Sequence, residues 1–205
     1  MDEPGYKLEY SLYAIIVSFI IAVLMLPFGF AQGWLEAVGS KYTQMLYAAN
    51  TILMLASLFS GLIAIYGFVH LGRVLKNRLL YYASVFALVV SLLSVIPMFS
   101  FQIAGLLGRN TQSWQLVVFF VSAIASTLGN IPFGIALFKV KKDTIYRITG
   151  ALNVLVGLLS LTIVLHIIST LLVYPTILGE ALILYKEVQN LKKTPKTKIK
   201  AIKDR

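Results

Sequence analysis

The chain has 205 residues, of which 59% are apolar and 13% are charged, and it carries a formal net charge of +10. Soluble domains are near half apolar and a quarter charged, so this composition predicts a protein embedded in lipid. Cysteine is absent, which excludes disulfides, thiolate metal sites and cysteine nucleophiles.

Five apolar blocks follow one another along the chain, at 11–31, 47–71, 79–107, 114–138 and 145–185. Each of the first four suits one crossing of about 20 residues. The first is expected to be a retained helix, because acidic residues precede it where a secretory signal is basic. The last block would make a helix of about 60 Å, twice the hydrocarbon thickness. We therefore predict two helices joined by a tight turn between His166 and Thr170, with Pro175 in the first turns of the sixth helix.

The distribution of Lys and Arg distinguishes six crossings from five. With six crossings, 16 of the 18 basic residues lie on one side, and only Lys41 and Arg109 lie on the other. With five, the split becomes 8 against 10. Basic residues are retained on the cytoplasmic side of membranes. The predicted fold is an all-α polytopic transmembrane bundle of six helices with both termini in the cytoplasm of a cell-membrane protein. Residues 1–190 form the bundle and 191–205 a basic tail.

Aromatic residues near the block ends, among them Tyr47 and Tyr146, are interpreted as anchors at the membrane interface. Small residues recur at helical spacing on three helices, which predicts faces that point into the bundle and allow close backbone approach. The three sets are Ser57, Gly61 and Ala64; Ser122, Ser126 and Gly129; and Asn153, Gly157 and Ser160.

Glu180 is the most informative residue, because the sixth helix places it near the bilayer midplane. An ionised carboxylate at that depth costs at least about 2.5 kcal/mol, so the residue is expected to face the bundle interior. One interpretation is a proton or cation site. The other is a neutral carboxyl group that hydrogen-bonds a neighbouring helix.

Two amides are candidate partners of Glu180. Asn153 lies on the fifth helix, and Asn130 lies just before Pro132 on the fourth. Amide groups inside a membrane bundle can coordinate a cation or polar solute, although they can also simply hydrogen-bond between helices. We therefore predict an ion or solute site formed by Glu180, Asn153 and Asn130.

The tail is predicted to contact anionic lipid headgroups. Nucleic-acid binding is disfavoured, because the tail has no aromatic residues to stack on bases and the other charges lie between apolar runs. The basic residues concerned are Lys192, Lys193, Lys196, Lys198, Lys200, Lys203 and Arg205.

Enzymatic chemistry finds little support in the sequence. The metalloprotease helix motif, the hydrolase nucleophile elbow and the P-loop are absent, and no aspartate cluster could hold Mg²⁺. His70 and His166 are expected near opposite membrane faces, too far apart to share a haem iron. We expect no cofactor and no metal, and we lean against an enzyme.

In size and helix count the predicted bundle resembles small multi-pass membrane proteins of prokaryotes. It is similar in the same two respects to the six-helix substrate-binding subunits of energy-coupling-factor vitamin transporters. No short motif carries that second resemblance, so no residue role follows from it. The leading hypothesis is a small transporter or channel-like protein, or the membrane subunit of one. The alternative is a scaffold or accessory subunit that packs against a membrane partner or a second copy.

Overall fold

The computed structural model describes residues 3–38, 42–109, 112–140 and 143–193. This part of the chain contains six helices and no strand, which confirms the predicted all-α bundle. Five of the helices are long and apolar enough to span a membrane, whereas α5, with 16 residues, is shorter. The helices are α1 (Glu3–Ala37), α2 (Thr43–Val74), α3 (Arg78–Leu106), α4 (Gln112–Lys139), α5 (Thr144–Leu159) and α6 (Ile163–Lys193).

The six helices form a closed ring. Each helix packs against its neighbours in the chain, and α6 returns to pack against α1. Many large apolar side chains face outward around the ring, such as Ile52 and Leu93. Because lipid is as apolar as these side chains, the outer surface has no reason to be polar, and the few polar groups gather inside.

The ring is sealed at the end where α1 begins and α6 ends, which we call the basic end. Leu8, Leu71, Leu80 and Leu184 are fully buried there in one apolar cluster. Ion pairs add to this seal. Lys192 Nζ lies 3.1 Å from Glu9 Oε1, and Lys186 Nζ lies 2.9 Å from Asp143 Oδ2. Both chain ends of the described bundle therefore lie on the same side, whereas the identity of that side stays a prediction.

The described basic residues follow the predicted partition between the two ends. Arg109 follows α3 at the far end, and Lys41 lies outside the described residues. Residues 194–205, which hold most of the predicted lipid-binding tail, also lie outside them. The residues at the basic end are Lys7, Arg73, Lys76, Arg78, Lys139, Arg147, Lys186, Lys192 and Lys193.

The predicted helical hairpin after α4 is present, but its turn was predicted too late in the chain. The chain reverses at residues 160–162, and His166 and Thr170 lie inside α6. No glycine ends α5. Instead, the hydroxyls of Ser160 and Ser169 donate to the carbonyl of Val156 at 2.8 and 3.1 Å. The same carbonyl also accepts from the backbone N–H of Ser160 at 3.0 Å, so the two hydroxyls add further hydrogen bonds at the end of α5.

Two further predictions need correction. Pro175 lies in the interior of α6 and not in its first turns. Tyr47 and Tyr146 are 2% and 0% exposed, so they are packed inside the bundle and are not interfacial anchors. Tyr47 packs against the ring of Phe101, and Tyr146 donates a hydrogen bond to Glu187.

Candidate functional site: a central cavity with one carboxyl group

The helix ring encloses a cavity of about 490 Å³, which we call the central cavity. Its floor rests on the apolar cluster of the basic end, since Ile15, Ala64, Phe68 and Phe133 belong to both. From there it extends towards the far end of the bundle. The described residues that line it come from α1, α2, α3, α4 and α6, and the polar ones are Ser18, Ser57, Ser91, Ser94, Ser122, Ser126, Asn130 and Glu180.

Glu180 lies at the middle of the apolar stretch of α6, which runs over Ile168–Lys193, and it lines the central cavity. Along the five helices, the lining residues closest to the basic end are Ile15, Phe68, Ala87, Phe133 and Glu180. The carboxyl group is thus at the floor of the cavity. It is also the one ionisable group among the described lining residues.

Asn153 lies behind Glu180 on α5 and is 1% exposed. Its Nδ2 donates to Glu180 Oε1 at 3.0 Å and to the carbonyl of Thr149 at 3.1 Å. The amide oxygen Oδ1 is buried without a hydrogen-bond partner among the described residues. An asparagine can present either its N–H or its oxygen, so Asn153 can bond an ionised carboxylate or accept from a protonated carboxyl group.

Asn130 lines the cavity from α4 and starts a line of hydroxyls that leads away from the basic end. Its Nδ2 donates to Ser126 Oγ at 3.0 Å, and Ser126 and Ser160 share a hydrogen bond of 2.9 Å. Ser160 and Ser169 are 2.7 Å apart. The structure therefore places two predicted residues, Glu180 and Asn130, on the cavity wall, and the third, Asn153, in contact with Glu180.

Several polar lining groups use their donors within the protein. Ser18 donates to Ser60 at 2.7 Å, Ser94 donates to the carbonyl of Ser91 at 2.8 Å, and Asn130 donates to Ser126. A hydroxyl that donates in this way still has lone pairs to offer, and an amide still has its oxygen. Together with the carboxyl oxygens of Glu180, these groups present hydrogen-bond acceptors to the cavity.

The predicted small-residue stripes point into the bundle, but for two different reasons. A Cβ added at Gly61 or Gly129 would meet no atom within 4 Å, because these glycines face the open cavity. On α5 the stripe allows close packing, because a Cβ at Gly157 would lie 2.7 Å from Ile131. One turn before the stripe, a Cβ at Gly150 would lie 2.6 Å from the carbonyl oxygen of Gly134.

A second cavity of about 670 Å³ continues from the first, and we call it the side cavity. It lies between the second half of α1 and the first turns of α6, and it shares Ala22, Met98, Ser126 and Val173 with the central cavity. Its other described lining residues are Met25, Leu26, Gly29, Phe30, Ser160, Ser169, Thr170 and Tyr174.

The burial of one acid, Glu187, was not predicted from the sequence. Glu187 is 3% exposed, and its Oε1 accepts a hydrogen bond from the hydroxyl of Tyr146 at 2.9 Å. It is not among the residues that line either cavity. A signal was available, because Glu180, Ile183, Leu184 and Glu187 follow helical spacing and so share one face of α6.

The polar groups of this site are suited to bind and release a ligand. Within the described part of the chain, no group of three or more His, Cys, Asp or Glu could hold a metal ion. His70 and His166 lie towards opposite ends of the bundle, on α2 and α6. A single carboxyl group among acceptor oxygens can bind a proton, a cation or a solute with several N–H or O–H donors.

Comparison of the chain with protein-family models, with curated proteins and with solved structures found no match.

Proposed function

We propose that the protein is a small transporter or channel-like protein of the cell membrane, with the central cavity as its ion or solute site. The observation that carries the proposal is that Glu180, at the middle of α6, lines a cavity of about 490 Å³. An ionisable residue at that depth is costly, and in membrane proteins such residues mark substrate, ion and proton pathways. Glu180 is the titratable group of the site, Asn130 is a neutral ligand, and Asn153 positions Glu180.

The direction of access follows from the sealed basic end. If basic residues are retained in the cytoplasm, the apolar cluster closes the cytoplasmic side and the cavity extends towards the outside. Transport then requires the basic end to open. The pairs Glu9–Lys192 and Asp143–Lys186 tie the end of α6 to α1 and to the segment before α5, so their rupture would accompany opening.

The scaffold alternative is less well supported. A scaffold needs an outward face of small or apolar residues, and packing against a partner does not require a cavity that reaches a buried acid. Gly61 and Gly129 instead face the central cavity, so the stripes on α2 and α4 are not exposed for a partner helix.

The basic tail has a supporting role in this proposal. Residues beyond Lys193 would contact anionic headgroups on the cytoplasmic leaflet, with about 1 kcal/mol of attraction per Lys or Arg near the surface. Lys192 already pairs with Glu9, so the residues further along contribute the lipid contact.

The test is flux in proteoliposomes made with the purified full chain. Uptake of sodium, rubidium, methylammonium and hexyltrimethylammonium and the internal pH would be followed for the unaltered protein, Glu180→Gln and Glu187→Gln. Glu187→Gln is the matched control, because it removes a buried carboxyl group of the same helix that is not among the described lining residues of the central or the side cavity. We expect Glu180→Gln to fold and to abolish flux and its pH dependence, while Glu187→Gln retains both.

Two results would overturn the proposal. One is flux no greater than in empty liposomes for every probe, including protons. The other is flux that Glu180→Gln leaves unchanged. Either would favour the scaffold, in which Glu180 serves only as a structural hydrogen-bond partner of Asn153.

A further inference from the structure

We propose that the substrate is an amphipathic organic cation, whose positive headgroup sits at Glu180 and whose apolar tail lies in the side cavity. This inference rests on the proposed function and adds to it a substrate class. It also adds a second binding region and a route of entry from the lipid.

The size of the site favours an organic molecule over a bare ion. Small-molecule pockets measure about 300–1,000 Å³. The central cavity alone has about 490 Å³, and the side cavity that joins it has about 670 Å³. A bare cation needs several oxygen ligands converging on one point, and the described residues provide one carboxyl group within a much larger space.

The charge of the headgroup follows from the lining. Glu180 is the one ionisable group among the described residues of the central cavity, so no basic side chain is there to balance it. Ser18 and Ser94 use their hydroxyl donors within the protein and offer oxygen atoms to the cavity, and Asn130 adds its amide oxygen. Phe68 and Phe133 complete the floor, and aromatic faces also attract organic cations.

The tail is inferred from the position and lining of the side cavity. Its α1 residues, from Ala22 to Phe30, lie in the second half of the apolar span Gly5–Gln32. Its α6 residues lie in the first turns of the span Ile168–Lys193. The side cavity is thus at the depth of lipid acyl chains. Its apolar lining includes Met25, Leu26 and Phe30, and Phe30 is 79% exposed.

The gap between α1 and α6 provides the entrance. The two helices are joined near the basic end by the Glu9–Lys192 pair and at mid-depth by the hydroxyl of Tyr174, which donates to the carbonyl of Ala22 at 3.3 Å. Beyond that bond, the side cavity separates them. A molecule dissolved in the adjacent leaflet can therefore enter sideways, head first, and reach Glu180 without crossing the far end of the bundle.

The test uses three probes of matched structure on the full chain in nanodiscs, with binding measured by equilibrium dialysis against empty nanodiscs. Hexyltrimethylammonium has the cationic head and a tail, tetramethylammonium has the head alone, and hexanesulfonate has the tail with the opposite charge. We expect hexyltrimethylammonium to bind at least about tenfold more tightly than tetramethylammonium, since each buried CH₂ adds to the affinity. Hexanesulfonate should not bind above background.

Two glycine variants distinguish the contribution of the side cavity to binding from that of the central cavity. Gly29 lines the side cavity and Gly61 the central one, and a Cβ at either would meet no atom within 4 Å. Gly29→Leu should reduce hexyltrimethylammonium binding to the level of tetramethylammonium and leave tetramethylammonium binding unchanged. Gly61→Leu should weaken both, and so should Glu180→Gln.

The two proposals fail in different ways. Equal affinity for the two ammonium probes, together with a silent Gly29→Leu, would overturn the tail and leave a cation site at Glu180. Binding of hexanesulfonate comparable to hexyltrimethylammonium would overturn the cationic head. If neither ammonium probe binds and Glu180→Gln is also silent in the flux experiment, both proposals fail.

Discussion

At the scale of single residues, Glu180 and Glu187 show that the position of an acid in the sequence does not by itself determine its environment in the fold. They lie seven residues apart on one face of α6, yet one lines a cavity and the other is 3% exposed beside Tyr146. The sequence singled out Glu180 because it interrupts an apolar run. Glu187 follows Lys186 near the basic end, where an acid resembles an ordinary solvated residue. Its burial depends on Tyr146 of another helix, which no local pattern reveals.

Tyr146→Phe should destabilise the protein by about 0.5–1.5 kcal/mol, the net contribution of a typical intramolecular hydrogen bond. The variant removes only the hydroxyl that donates to Glu187 at 2.9 Å. Tyr185→Phe is the control, because the Tyr185 side chain is 52% exposed. Thermal unfolding in mild detergent checks the difference. Equal midpoints for the two variants would contradict a stabilising role for the Tyr146–Glu187 bond.

Asn153→Ala should cost about 0.6–2 kcal/mol, the range for hydrogen bonds between membrane helices. It should also lower the affinity of the central cavity for its substrate, because Glu180 loses the group that holds its Oε1. Unfolding measurements give the first effect and probe binding the second. An Asn153→Ala protein with unchanged binding would mean that Asn153 has no part in positioning Glu180.

At the scale of helices, glycines allow α4 and α5 to pack closely, whereas the glycines of the cavity wall have open space where a side chain would be. Gly150 and Gly129 therefore form a matched pair. A Cβ at Gly150 would lie 2.6 Å from both the carbonyl oxygen of Gly134 and the amide nitrogen of Phe138. A Cβ at Gly129 would find open space.

Gly150→Ala should destabilise the bundle by about 1–3 kcal/mol, since backbone atoms must shift to relieve the contact. Gly129→Ala should be neutral or stabilising, because alanine favours helix over glycine by up to about 1 kcal/mol. The thermal unfolding midpoints of both variants test this expectation. A destabilised Gly129→Ala, or a silent Gly150→Ala, would conflict with the packing described.

The helices themselves were predictable because lipid imposes a simple rule: a long apolar run must satisfy its backbone internally, as a helix. The reversal after α5 was not placed correctly, because the length of the last apolar block requires a turn but does not determine where the turn lies. At the actual reversal, the hydroxyls of Ser160 and Ser169, nine residues apart in sequence, both donate to the carbonyl of Val156. Their pairing exists only once the hairpin has formed. The same limit applies to the site, since the sequence places Glu180, Asn153 and Asn130 along their helices but does not give the rotation of each helix.

At the scale of the whole molecule, the orientation in the membrane stays a prediction with a direct test. The chain has no native cysteine, so single-cysteine variants can be labelled without background. Arg109→Cys should react with an impermeant maleimide in intact cells, and Lys193→Cys only after permeabilisation. This follows from retention of basic residues in the cytoplasm. Labelling of Lys193→Cys in intact cells would reverse the orientation and place the sealed end outside.

The brevity of α5 bears on the membrane around the protein. Its 16 residues rise about 24 Å, whereas the hydrocarbon layer is about 30 Å thick. We expect lipid beside the turn at residues 160–162 to thin, which would draw headgroups and water towards the opening of the side cavity. Such mismatch carries a modest free-energy cost per ångström, which grows with bilayer thickness. We expect the protein to unfold at a higher temperature, and to bind its substrate more tightly, in dimyristoyl than in dierucoyl phosphatidylcholine. Bilayer thickness would then regulate this protein, and the same chain would have different activity in different membranes.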